Sequence, residues 1–252
     1  MTTPSMKAAD LWGICVQLLW DDEYVKSLES LLRGRGVQTI LDCGGGTGFP
    51  AIELRARGWD VAYVDNSTEM VESFCGNCAS RNVQMPTYQL DWLELSEALG
   101  KQFDALLCRG NSLIYVGSWQ SGVVAPDTRE LIRKALRQFY LSLNEGGLLY
   151  LDLIGSHEYD RAAYPIRSEY AGTLPDGSEV SLIWEVSHDY TTRTRAWRTV
   201  VERDGVTFDQ TYHSYLLRHS ELRSDLQAAG FRQIESCAPE ADHGYNVFLA
   251  HK

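Results

Sequence analysis

Two hydrophobic rhythms alternate along the chain. Residues 7–35 carry Leu28, Leu31 and Leu32 on one face with no internal proline, the spacing of a helix. Short apolar runs then trade places with helical stretches. Residues 37–41 run to Asp42 and into Gly44-Gly45-Gly46-Thr47-Gly48; a helix begins at Pro50, whose missing N–H costs nothing in a first turn. A second strand, 59–64, ends at Asp65, and Ser67 stands where its hydroxyl would cap a helix through Met70 and Phe74. A third strand, 84–90, ends at Asp91, and a fourth spans 103–107. Asp127-Thr128-Arg129-Glu130 reads as a capping box with Asp at the Ser/Thr position, opening a helix with Leu131, Ala135, Leu136, Phe139 and Leu143 at helical spacing. Asn144-Glu145-Gly146-Gly147 stops that helix, and 148–153 is a fifth strand. Such alternation predicts an α/β fold with a parallel, doubly wound sheet.

Near Gly155 the rhythm changes. Residues 180–186, 194–201 and 208–216 are rich in β-branched and aromatic side chains, and Asp176-Gly177 and Asp204-Gly205 are hairpin signals. This predicts an antiparallel β insertion, too long for a loop. The α/β pattern resumes with a helix at 220–229 and two closing strands at 233–237 and 245–250. The expected division is a main domain of residues 1–155 and 218–252, interrupted by an insertion of residues 156–217.

Composition changes this picture little, charge somewhat more. The 252 residues are 44% hydrophobic and 23% charged, ordinary for a globular protein. With 34 acidic against 23 basic side chains the net charge is -11, which disfavours a nucleic-acid partner and favours a small molecule. No apolar run approaches the roughly 18–20 residues of a membrane span, and no secretory leader is evident at the N-terminus. The six cysteines are scattered, and Cys75-Gly76-Asn77-Cys78 has neither a second pair nor spaced histidines. No metal site is expected, and the thiols read as reduced, in a cytoplasmic protein. Oligomeric state stays open.

The glycine cluster carries the first chemistry. A glycine-rich turn between a strand and a helix lets backbone approach a ligand closely. The dinucleotide pattern fails because Phe49 stands where its third glycine belongs, and no Gly-Lys-Ser/Thr run makes a P-loop. What remains is Asp42-x-Gly44-x-Gly46-x-Gly48 with Asp65 ending the next strand, where a carboxylate can accept both hydroxyls of a ribose or simply cap a helix. Without a pyrophosphate to bind, the matching ligand is a nucleoside with an amino-acid tail.

These residues resemble the motifs of class I S-adenosyl-L-methionine-dependent methyltransferases. Ile40-Leu41-Asp42-Cys43-Gly44-Gly45-Gly46-Thr47-Gly48 is similar to their first motif, Val64-Asp65-Asn66-Ser67 to the second and Leu90-Asp91-Trp92-Leu93 to the third. The regions of Phe103 to Cys108 and of Leu143 to Leu149 match the fourth and fifth strands. The resemblance implies a Rossmann-like seven-stranded sheet closing in an antiparallel hairpin. It also implies S-adenosyl-L-methionine as cofactor and S-adenosyl-L-homocysteine as product. It places Asp42, Gly44, Gly46 and Gly48 beside the methionine part, and Asp65 on the ribose. Asn66 and Met70 come near the adenine, with Asp91 on its amino group and Trp92 beside the ring; Trp92 could equally be core packing.

Cys108-Arg109-Gly110-Asn111-Ser112, after the fourth strand, lacks the Asn/Asp-Pro-Pro-aromatic run of enzymes that methylate adenine or glutamine nitrogens. Its Gly-Asn-Ser run, the Asp91-Trp92-Leu93-Glu94-Leu95 stretch and the β insertion resemble glycine and glycine/sarcosine N-methyltransferases. Two arginines of that subfamily are absent: Ile154 stands where one would clamp the substrate carboxylate, and Trp20 where another would meet the cofactor carboxylate. Glycine is therefore not the expected acceptor. Arg109 supplies a replacement cation or pairs with a surface acid. Cys108 and Trp20 are assigned to the cofactor. Arg109, Gly110, Asn111, Ser112, Tyr159, Tyr212 and Tyr215 are assigned to the substrate, and Asn111, Tyr24 and Tyr115 to catalysis. The expected reaction moves a methyl group in line to a small-molecule acceptor, most naturally an amine nitrogen, which needs only a free lone pair. An O- or C-methyltransferase would more often need a base from among His157, His188, His213 and His243, and a cofactor-binding regulator without catalysis is the alternative of another class.

Overall fold

The computed structural model describes residues 5–119, 122–154, 165–237 and 245–252. Its main sheet has seven strands in the order β10-β11-β5-β4-β1-β2-β3. The first four are β1 (Thr39–Cys43), β2 (Asp60–Asp65), β3 (Thr87–Gln89) and β4 (Phe103–Cys108); the other three are β5 (Leu143–Ile154), β10 (Arg232–Cys237) and β11 (Tyr245–His251). Strands β1 to β5 pair in parallel, while β11 runs antiparallel to β5 and β10 antiparallel to β11. The order reverses at β1, which lies between β2 and β4. Such a switch point opens a crevice at the carboxyl ends of the strands. Strands β1 and β4 are buried almost throughout, so they read as apolar runs and not as alternation.

The helices are α1 (Ala8–Leu19), α2 (Asp22–Gly34), α3 (Ala51–Ala56), α4 (Thr68–Ser80), α5 (Leu95–Leu99), α6 (Thr128–Leu141) and α7 (His219–Ala229). The stretch expected as one helix is two. Asp21 ends the first by capping the second, its carboxylate accepting from the N–H groups of Glu23 and Tyr24. Ser67 caps α4 as expected, accepting from Met70 N at 3.4 Å. The box expected at Asp127 does not form: Asp127 makes no side-chain cap, and Thr128 Oγ1 instead donates to the carbonyl of Ala125 at 2.7 Å. Residues 143–147 belong to β5 and not to a helix stop; they shift the register between Phe103 and Ala105.

A second sheet follows β5 and precedes α7. It comprises β6 (Ile166–Thr173), β7 (Glu179–Asp189), β8 (Thr194–Arg203) and β9 (Val206–Tyr215), consecutive antiparallel strands joined by the two expected hairpin turns and, between β7 and β8, by a third at residues 190–193. In the second turn Asp204 and Gly205 both have positive φ, 53° and 75°, as that tight turn requires. One face alternates inward with Val180, Leu182, Trp184 and Val186 from β7 and Arg195, Trp197, Thr199 and Val201 from β8. The chain start is tied to this sheet: Met6 N donates to Gln210 Oε1 at 3.2 Å, and Gln210 Nε2 donates back to Met6 O at 2.9 Å. Among the described residues no helix is long and apolar enough to cross a membrane.

Candidate active site

At the switch point lies a cavity of about 210 Å3. Its floor is the turn after β1, where Gly44 and Gly46 have φ of +68° and +54°. A Cβ at Gly44 would come within 2.6 Å of the Trp92 ring, and one at Gly46 within 2.9 Å of Trp12 Nε1. Only glycine fits there, for backbone shape and for space.

Asp65, at the end of β2, lines the cavity while only 7% exposed. Its Oδ2 accepts from Gly46 N at 3.0 Å and its Oδ1 from Ser67 N at 2.9 Å. A carboxylate has about four acceptor positions, so each oxygen keeps capacity for a hydroxyl. Burial pushes this carboxyl above its usual range, against the pull of the N–H groups of Ser67, Gly46 and Asn66. Asn66, Met70, Asp91 and Trp92 join it on the same wall. Trp92 is half-buried, edge-on to Phe139 at 5.4 Å.

The turn after β4 supplies Gly110, Asn111, Ser112 and Tyr115. Asp152, fully buried near the end of β5, holds this turn by accepting from Gly110 N at 2.9 Å and Asn111 N at 2.7 Å. Asn111 sits in the left-handed region at φ 65°, tolerated by Asn better than by most residues, and is 3% exposed.

The remaining assigned residues lie elsewhere. Arg109, read as a cation for a ligand carboxylate, does not line the cavity. Its guanidinium lies 4.2 Å from the ring centre of Tyr24, 5.6 Å from Phe49 and 5.7 Å from Trp20, and its Nε donates to the Tyr24 hydroxyl. Aromatic faces and the charge of Asp42 keep it in that second layer. Tyr24 is committed to Arg109 and lies 3.3 Å from the Tyr150 hydroxyl, away from the cavity. Asp42 is buried below the floor, its Oδ2 without a hydrogen-bond partner among the described residues. Burial pushes its carboxyl up to about 7, with Asp65 and Glu53 adding to the shift and Arg109 opposing it. Gly48 is shut in by Ile52 and Phe74. Cys108 and Trp20 are buried without lining the cavity. Tyr212 stacks on Trp119 at 5.1 Å, and Tyr215 lies under the Arg193 guanidinium at 5.3 Å. Tyr159, His157 and His243 lie outside the described residues.

Several wall residues went unread. Trp12 of α1 stands over Gly46 and Gly110; Tyr245, Val116, Gly117 and Trp119 fill the sides. The second sheet contributes Trp184, Arg195 and Trp197. Arg195 had a visible signal, since it shares the phase of Trp197, Thr199 and Val201 on β8. Among the described lining residues there is no histidine. His188 lies across from Arg195 in the β7–β8 pair, and burial and that cation push it down to about 4.

Residues 40–147 match the model of a methyltransferase domain. A glycine/sarcosine N-methyltransferase of Halorhodospira halochloris is 34% identical over 233 residues, 88% of this chain and 78% of that protein. One from Parasynechococcus marenigrum is 29% identical over 209 residues, 82% of this chain and 67% of the relative. The structure of DesVI from Streptomyces venezuelae has the same fold, with a TM-score of 0.76 at 18% identity over 98% of this chain and 99% of that one. So does an amino pentose methyltransferase from Micromonospora echinaspora, solved with S-adenosylmethionine bound, at TM-score 0.73 and 17% identity over 100% and 99% of the two chains. With a floor that admits only glycine, a buried ribose-competent carboxylate and these relatives, the chain belongs to the S-adenosylmethionine-dependent methyltransferases related to the glycine/sarcosine N-methyltransferases.

Proposed function

We propose that the protein transfers the methyl group to an amine nitrogen of a small acceptor bound beside Asn111. The observation that carries this reading is the make-up of the wall. Asn111, Ser112 and Tyr115 offer acceptor oxygens on one rigid turn, and the described lining residues hold no imidazole to deprotonate a hydroxyl. The relatives named as N-methyltransferases support the same choice.

When bound, S-adenosylmethionine supplies a methyl group already activated by its sulfonium. In this proposal the Asp65 carboxylate accepts from the ribose hydroxyls, Gly44 and Gly46 pass beneath the methionine part, and Asp91 and Trp92 serve the adenine. The Asn111 carbonyl accepts from an N–H of the acceptor, which favours the neutral amine and aims its lone pair. Rings from α1 and the second sheet exclude water and offer faces to a developing cation. Residues 156–217 act as a unit that covers the cavity, on the frame of residues 1–155 and 218–252.

The test is a labelled-methyl assay against amine, phenol and amino-acid pools, with the product's methylated atom identified by mass spectrometry. Asn111→Ala should lower kcat by about 100-fold while leaving cofactor affinity within about threefold. Methyl found on oxygen or carbon would refute the amine reading. Tight cofactor binding with no transfer to any pool would favour a regulator.

A further inference from the structure

Arg195 is a buried cation that the proposed reaction leaves unused. It sits on the inward phase of β8, 4% exposed, and lines the cavity. Its Nη1 donates to the Tyr115 hydroxyl at 3.2 Å, whereas its buried Nε has no acceptor among the described residues. Other arginines in and beside the second sheet behave differently. Arg167 and Arg198 pair with Glu185, Arg193 with Glu221 and Arg203 with Asp176. Arg195 pairs with no carboxylate among the described residues. Its flanking neighbours in the antiparallel register are His188 on β7 and Ser214 on β9, neither of them an anion. Burying a guanidinium without a counter-charge is costly, and a ligand that brings an anion offsets that cost.

We infer that Arg195, together with the Tyr115 hydroxyl, is the receptor for a carboxylate on the methyl acceptor, which is therefore an amine-bearing acid with an apolar body. The inference rests on the proposed amine reading, because Tyr115 belongs to the turn that reading gives to the acceptor. A carboxylate fits better than a phosphate: no lysine and no second arginine lines the described cavity, so one guanidinium faces about one negative charge. An apolar body follows from Trp119, Trp184 and Trp197, three indole rings on the same lining as Arg195. Arg195 thus supplies a cation to the cavity from the second sheet.

The shared chemistry, a carboxylate, could also belong to the cofactor's methionine tail, and calorimetry on the full-length protein separates the two sources. The probes are 3-phenylpropionate and its neutral amide, titrated with S-adenosylhomocysteine present. The wild type should prefer the acid by about 10- to 100-fold, the worth of one strong charge-assisted contact. Arg195→Met should bring acid and amide together, and Arg195→Lys should keep part of the preference. S-adenosylhomocysteine should bind Arg195→Met within about twofold of wild type, which also reports an intact fold. Failure of the wild type to prefer the acid, whether both probes bind or neither does, overturns the inference. So does a preference that survives in Arg195→Met, or a loss of S-adenosylhomocysteine affinity with the acid preference intact. Binding is read without turnover. A protein that prefers the acid but methylates oxygen fails only the amine reading, and one that methylates amines without acid preference fails only this inference.

Discussion

Asp42 gives the protein a pH-dependent weakness that one substitution should remove. Its carboxyl lies under the glycine turn at 2% exposure, its Oδ2 without a partner among the described residues, and burial raises it to about 7. A carboxyl whose folded value lies above its unfolded one stabilises the fold while protonated. That contribution is full below the unfolded value near 4 and is lost as pH rises to about 7. Between pH 5 and pH 8 the folded state would shed its extra proton over about two units, a loss of about 2.7 kcal/mol. Asp42→Asn keeps the shape and cannot ionise. Its melting temperature should gain on wild type by about 5–10 °C over that interval, at about 2–4 °C per kcal/mol for a chain of this size. His188 and His219, both held at about 4 by burial, titrate in each protein and cancel in the comparison. The assay is thermal unfolding of both proteins from pH 5 to pH 8 at one ionic strength without cofactor. A melting-temperature difference that stays constant across the series would refute the reasoning, and would mean that Arg109 compensates Asp42 in full.

Two further outcomes follow from the site. Asp65→Ala should weaken S-adenosylmethionine binding by about 100-fold or more, since the role proposed for it is that of charged acceptor for the ribose hydroxyls; calorimetry reads this, and an unchanged Kd would overturn the assignment. Glycine should be turned over far more slowly than by a dedicated glycine enzyme, because in the sequence Ile154 replaces the arginine that the resemblance puts there, and the cation proposed instead shares its lining with Trp119, Trp184 and Trp197, which glycine would leave uncovered. Comparable kcat/KM in a labelled-methyl assay would sink the Ile154 argument.

Much of the sheet and its floor could be read from the chain because each feature is local. Strand β2 ends in an acid with a capping serine two residues on, and β1 is followed by glycines whose φ only glycine adopts easily. Each of these marks is written within a few residues of the chain. The failures share the opposite property. The box at Asp127 lost to a bond one residue along, from Thr128 to Ala125, which spacing alone cannot rank. The helix over residues 7–35 broke where Asp21 outcompeted continuity, since an acid that caps one helix must leave the previous one.

The two arginines make the same point about function. Arg109 sits two residues from Asn111 in a motif-rich turn, and sequence proximity recommended it as the cation of the site. Its actual surroundings, Trp20, Tyr24 and Phe49 with Asp42 nearby, are drawn from three separate stretches and are invisible from position 109 alone. Arg195 lay in a segment read only as β-rich. Yet its place in the alternation with Trp197, Thr199 and Val201 predicts an inward side chain. An inward arginine needs a counter-charge. The chain supplies carboxylates to Arg167, Arg193, Arg198 and Arg203 but none, among the described residues, to Arg195. Distance along the sequence from a motif is thus a weaker guide to a ligand-binding cation than the phase of its strand and the whereabouts of the nearest anion. By that criterion the proposed carboxylate of the acceptor is read from β8, on the second sheet, together with Tyr115 of the turn that carries the family's motif.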